Sequence, residues 1–170
     1  MSAAEVVAVN TDLDGQLLDE LGRADLARSG GAEEWVAGEV AAHLAEFPRF
    51  FAGEIDRWLA DPSATVGRTH TDERRLAAVA AAGRLDRAAT RAAVASSFAV
   101  LAAALERLTD EDVESPTRNL KYGEEPLSAF LDRYVVGHKA GHLEQLRALG
   151  SRPRGEPEKR EGRARRDHAR

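Results

Sequence analysis

Apolar residues in this chain recur at intervals of three and four over four long stretches, and nowhere do they alternate with period two over a useful length. A face that repeats every 3.6 residues is buried by a helix and not by a strand, so the pattern confines the chain to packed helices. Residue usage agrees: alanine, leucine, arginine and glutamate dominate, and β-branched residues are sparse. Leu13, Leu17, Leu18, Leu21 and Leu26 predict a first helix from about Asp12 to Ala27, ended through Gly30 or Gly31. Trp35, Val36, Val40, Leu44, Phe47, Phe51, Ile55, Trp58 and Leu59 predict a second over 33–60, kinked or broken at Pro48, which removes a helix hydrogen bond. A short helix is expected from Thr71-Asp72-Glu73 to about Ala82, interrupted by Gly83, and Asp86 is placed to cap a third long helix reaching about Leu108. Residues 109–126 are polar and contain two prolines, which predicts a loop folded over something. The last helix is expected over 127–149. The fold implied is all-α, an up-and-down four-helix bundle with one short extra helix.

Charge divides the chain into a body and a tail. Residues 150–170 carry eight Lys+Arg against four Asp+Glu, leaving 16 against 25 in residues 1–149. A bundle over 1–149 and a basic, disordered tail over 150–170 follow as the domain reading. The tail has no aromatic residue to stack bases and its glutamates dilute its charge, so nucleic acid is not an expected partner. No apolar stretch is expected to cross a membrane and the first residues lack the pattern of a secretory leader, so the expected location is cytoplasmic. With no cysteine, disulfides, thiolate metal sites and a cysteine nucleophile are excluded, and thiol chemistry needs a thiol from outside.

The segment VVGHKAGHLEQL puts imidazoles where a helix would bury leucines. The last stripe reads Leu127, Leu131, Val135, His138, His142, Leu146, Leu149. Positions four apart share a side of a helix, so His138 and His142 can share one metal ion. Gly137 and Gly141 each cost a helix about 1 kcal/mol against alanine, an expense that predicts close approach of a neighbouring helix or a ligand. His43, on the second helix between Val40 and Phe47, adds a third ring toward the same core. Three imidazoles leave coordination positions open for water or substrate, as a catalytic metal site does. The competing account has each histidine hydrogen-bonded to its own carbonyl or carboxylate. Glu39, Glu46 and Glu144 are candidates to orient the rings, and His70 and His168 are expected in solvent. Lysine at position 139 removes the general base of a zinc-peptidase helix, and the Glu-x-x-His pattern of di-iron bundles is absent.

A tryptophan near a helix start, then EVAAHLAEF, LERLTDEDVESP and VVGHKAGHLEQL, in that order over residues 12–149, resemble the DinB-like superfamily. The resemblance implies a four-helix bundle in which His43, His138 and His142 bind a divalent zinc, nickel or iron ion, and it implies a homodimer. It further implies a transferase or isomerase using a low-molecular-weight thiol such as mycothiol or bacillithiol on an electrophilic small molecule, or a related hydrolase. Tyr122 or Arg118, in the 109–126 loop, would then shape substrate access. The alternative is a non-enzymatic stress-associated bundle that binds a small molecule or a protein partner.

Overall fold

In a computed structural model the described residues are 1–27, 35–82 and 86–151. The expected helix ends at Gly30, Gly31 and Gly83, and the tail from residue 152 with His168, lie outside them.

The first helix, α1, spans Ala3–Arg23, nine residues earlier than its leucine stripe suggests. The cause is local: Ser2 and Glu5 form a capping box, the hydroxyl accepting from the Glu5 N–H and the carboxylate accepting from the Ser2 N–H. Val6, Leu13, Leu17 and Leu21 are buried along its inner face. Helix α2 spans Ala37–Ala60 and starts late because Glu39 turns back to the Val36 N–H at 2.8 Å. Pro48 sits inside α2 without breaking it, buried on the core side where tertiary contacts outweigh one lost hydrogen bond. Helix α3, Glu73–Ala81, is capped by Asp72, and α4, Arg87–Leu105, by Asp86, as expected. Helix α4 stops short of Leu108.

The polar 109–126 segment is more structured than a loop. It forms a one-turn helix α5, Asp110–Glu114, then strands β2, Pro116–Asn119, and β3, Gly123–Pro126, an antiparallel hairpin whose β2 pairs in parallel with β1, Thr65–Val66. Strands this short show no period-two signature. The last helix is α6, Leu127–Leu131, a π turn, Asp132–Val136, and α7, Gly137–Ser151.

The expected four-helix bundle is formed by α1, α2, α4 and α6–α7. Helix directions come from the side chains that meet. Arg91 of α4 reaches the Leu18 carbonyl while Ala3 meets Asp110 just beyond α4, so α1 and α4 are antiparallel. Arg49 meets Ser96 and Asp56 meets Arg107, so α2 and α4 are parallel. Lys139 meets Asn10 and Arg147 meets Gln16, so α7 is parallel to α1. Direction therefore runs up, down, down, up, so the parallel pair α2 and α4 cannot be joined by a short turn.

Helix α4 is 19 residues long and apolar enough, at mean hydropathy 1.6, to meet the length and composition of a membrane span, against the sequence expectation. Alanines make up much of its apolar length, and Val94, Phe98, Leu101 and Leu105 pack into the bundle.

The core-facing residue at the centre of the last helix is Lys139, which is fully buried. Its ammonium donates to Asn10 Oδ1 at 2.6 Å, pairs with Asp14, and lies 4.3 Å from the Phe98 ring centre. Burial pushes Asp14 up and Lys139 down despite their attraction. Lys139→Met alone, which strands Asp14, is expected to cost about 3–5 kcal/mol in urea unfolding, and adding Asp14→Leu to recover most of that loss.

Of the two causes expected for the glycines, close approach of a neighbouring helix is absent at both. A Cβ on Gly137 would lie 3.0 Å from the Asp132 carbonyl of the π turn, whereas one on Gly141 would meet nothing within 4 Å. Gly141→Ala is expected to raise stability by about 0.5–1 kcal/mol and Gly137→Ala by clearly less, as compared by thermal unfolding.

Candidate metal centre

The π turn sets up the site. It adds one residue to a helical turn, the Gly137 N–H bonding back to the Asp132 carbonyl, and so rotates everything after it. The core stripe shifts to Val135, Lys139, Leu143 and Leu146, and His138 and His142 move from the stripe to its edge. There they are half-buried and face α2 rather than the bundle axis. His43, 1 % exposed, meets them from α2.

The three rings converge on their Nε2 atoms. His138 Nε2 is 2.9 Å from His43 Nε2 and 3.0 Å from His142 Nε2. His142 Nδ1 lies 3.0 Å from Gln145 Oε1; a carbonyl oxygen only accepts, so that nitrogen carries the proton and Nε2 keeps its lone pair toward the cluster. One proton on His138 Nε2 can serve only one of its two neighbours. Further protonation is opposed as well: burial, then the neighbouring rings, pushes His138 down to about 3, burial and His43 push His142 down to about 4, and burial lowers His43. Converging lone pairs that do not take up protons are a donor set for a cation, and each ring offers it one nitrogen.

Aromatic rings dry the cluster. Trp35 stacks on His142 at 6.2 Å and meets His43 edge-on at 5.3 Å, while Phe47 packs on His138 at 4.6 Å. Of the three glutamates considered from sequence, Glu46 is beside the site, its carboxylate 3.7 Å from His43 Nδ1, too far for a hydrogen bond. Glu144 is exposed. Both Glu46 oxygens are gripped by Arg68, and although burial opposes ionisation, Arg68 and His43 hold the carboxyl near about 2. Arg68 follows Gly67, whose φ of 101° favours glycine and whose N–H donates to buried Glu54 at 2.5 Å.

A cavity of about 490 Å³ opens above His43 and His138. Tyr122 lines it, as expected, but Arg118 does not; its side chain is largely exposed and 4.0 Å from Glu124. His70 is exposed and also borders the cavity, more than the solvent position foreseen. Sequence reasoning missed Arg68 and Arg75, which reach the cavity from the connection between α2 and α4, and Arg133 and Tyr134, which reach it from the π turn of the last helix. It also gave no role to Gln145, although Leu-x-Gln-Leu after His142 was part of the signature.

A family model of the DinB superfamily matches residues 12–146. The chain belongs to the DinB superfamily. No curated protein matches it significantly. Among solved structures it is similar to YfiT from Bacillus subtilis, described as a probable metal-dependent hydrolase with an unusual four-helix bundle topology, at 16 % identity and TM-score 0.71, covering 86 % of this chain and 85 % of that one. It is also similar to a mycothiol-dependent maleylpyruvate isomerase, at 18 % identity and TM-score 0.63 over 88 % of this chain and 61 % of that one. A third similar structure, the sibling lethal factor precursor DfsB, has 14 % identity and TM-score 0.65 over 86 % and 94 % of the two chains. At these identities the likeness establishes the shared DinB-like bundle.

The ring protonation of the metal-free protein has a definite sign. The folded values lie below the roughly 6.5 of an unfolded histidine, so the unfolded chain binds more protons and the contribution, full above pH 6.5, is lost as pH falls toward 4 and 3. Chelator-treated protein is expected to lose stability from pH 7 to pH 4, each ring adding a slope approaching about 1.4 kcal/mol per pH unit, and His138→Gln to flatten the profile.

Proposed function

We propose that this DinB superfamily member is a metal-dependent enzyme, with His43, His138 and His142 as the ligands of a divalent zinc, nickel or iron ion. The observation that carries this is the convergence of three Nε2 atoms at 2.9 and 3.0 Å, with the His142 lone pair directed inward by Gln145. A bound ion would act as a Lewis acid that lowers the pKa of a thiol or water at its open positions. The chain's own residues prepare that chemistry. Gln145 fixes one ring tautomer, Glu46 supplies negative charge beside His43, and Trp35 and Phe47 keep water from the ring faces.

The reaction class we favour is transfer of a low-molecular-weight thiol, such as mycothiol or bacillithiol, to an electrophilic small molecule. Two facts support it. The chain has no cysteine, so a sulfur nucleophile has to arrive from outside, and one similar structure is a mycothiol-dependent isomerase. In such a transfer the thiol gives up its proton, its sulfur bonds the electrophilic carbon, and the displaced group leaves with the bonding pair and takes up a proton, so that the released proton is balanced. Hydrolysis, suggested by the name of YfiT, would use the same ligands with water as the nucleophile.

Untagged protein is expected to carry about one equivalent of divalent metal by elemental analysis, and His142→Ala to carry none; no metal in either overturns the proposal. Gln145→Ala should weaken zinc binding about 10–100-fold, read from fluorescence of Trp35 against the ring it stacks on. Thiol consumption with an electrophile should vanish in His142→Ala.

A further inference from the structure

The cavity above the histidines has an uneven charge. Arg68, Arg75, Lys121 and Arg133 all border it, and no carboxylate does among the described residues. Two of these cations are already matched, Arg68 by Glu46 and Arg133 by both oxygens of Glu125 at 2.8 and 2.9 Å. The other two are not. Arg75 donates to the His70 carbonyl and lies over Trp35 at 5.0 Å, and Lys121 lies 5.1 Å from the Tyr122 ring, with no carboxylate partner for either among the described residues. Asn119 Oδ1 accepts from the Lys121 N–H at 2.8 Å and orders the backbone of the hairpin tip, while α3 carries Arg75.

A third feature points to a ligand. Tyr134 lines the cavity, and its hydroxyl is buried with no hydrogen-bond partner, although a phenol normally finds one. Tyr134 lies in the π turn and its ring stacks on Phe51 at 5.2 Å. The cavity thus combines two unmatched cations, the unpaired Tyr134 hydroxyl and an aromatic floor.

We propose that this cavity binds a small organic carboxylate with a planar apolar body, Arg75 and Lys121 holding the charge and the Tyr134 hydroxyl donating to the ligand. The proposal deepens the enzymatic reading, on which it rests in making that carboxylate the electrophilic substrate. Charge selection by Arg75 and Lys121 does not require the metal, which allows the two ideas to be tested apart.

Benzoate and its neutral counterpart benzamide are the probes, titrated calorimetrically into zinc-loaded protein at low salt. Benzoate is expected to bind at least tenfold more tightly. In Arg75→Gln/Lys121→Gln, checked for fold by circular dichroism, that preference should disappear; Lys121→Gln alone, at an exposed position, should reduce it severalfold and serves if the double variant does not fold. Tyr134→Phe, which deletes a hydroxyl with no partner in the fold, should keep its stability and bind benzoate severalfold more weakly. No preference in the wild-type protein, or one that survives the loss of both cations, overturns the proposal. His142→Ala reports on the metal separately: a benzoate preference retained there and lost in the cation variants supports the anion site even if the metal reading fails.

Discussion

The rotation of the last helix about its own axis is the constraint on which the site depends. Successive residues of a helix differ by about 100° in azimuth, so placing Lys139 toward α1 and α4 turns His138 and His142 toward the side where α2 passes. Lys139 is costly in that position. Its ammonium is removed from water and repaid by Asn10, Asp14 and the face of Phe98, a balance that adds little net stability but penalises any other rotation, since a turned helix would bury the charge without partners. The π turn supplies the extra residue that reconciles this setting with the leucine stripe of α6, and Gly137 is the residue that tolerates the displaced Asp132 carbonyl.

Around the rings, each neighbour answers a cost created by another. Removing imidazoles from water favours the neutral state, which a ligand set for a cation requires; Trp35 and Phe47 accomplish that removal. Glu46 sits near His43 in the same dry region, where its own charge needs support, and Arg68 grips both oxygens to provide it. Arg68 in turn is delivered by the turn at Gly67 that Glu54 anchors. The hairpin is fastened similarly, with Glu125 bridging Asn119 and Arg133 and thereby holding Tyr122 against the π turn.

Much of this was legible in the residue order, and the exceptions have identifiable causes. Stripes at three and four spacing located all four long helices, and Asp86 located a start because a cap is a local interaction. The start of α1 was equally local, but Ser2-Ala3-Ala4-Glu5 precedes a weakly apolar run and the leucines drew attention further along. The histidine set was readable because its members stand out against an apolar background. Their exact facing was not, since a π turn is decided by tertiary contacts and leaves no periodic mark. Lys139 shows the same limit from the other side: its partners, Asn10 and Asp14, lie far away in sequence, and nothing near it predicts burial. Arg75, Lys121 and Tyr134 gather only once the connections are folded, so composition disclosed their charges without their meeting place.

The order of the helices explains why those connections meet where they do. With α2 and α4 both running down, the chain after α2 must climb the bundle before α4 can begin, and within the described part of that connection Arg68, Thr69, His70, Thr71 and Arg75 border the cavity above the rings. With α4 running down and α6–α7 up, residues 106–126 turn at the opposite end, and their hairpin reaches the same side because β2 pairs with β1 at Thr65–Arg118 and Val66–Asn119. A bundle with simply alternating neighbours and short turns would leave the gap between α2 and α7 open to solvent. Here the two connections are joined edge to edge by β1 and β2 and both contribute to the walls of the cavity, Arg75 from the first and Lys121 from the second. In a chain whose formal charge is −5, the positive rim is therefore a property of how the connections are routed and not of overall composition.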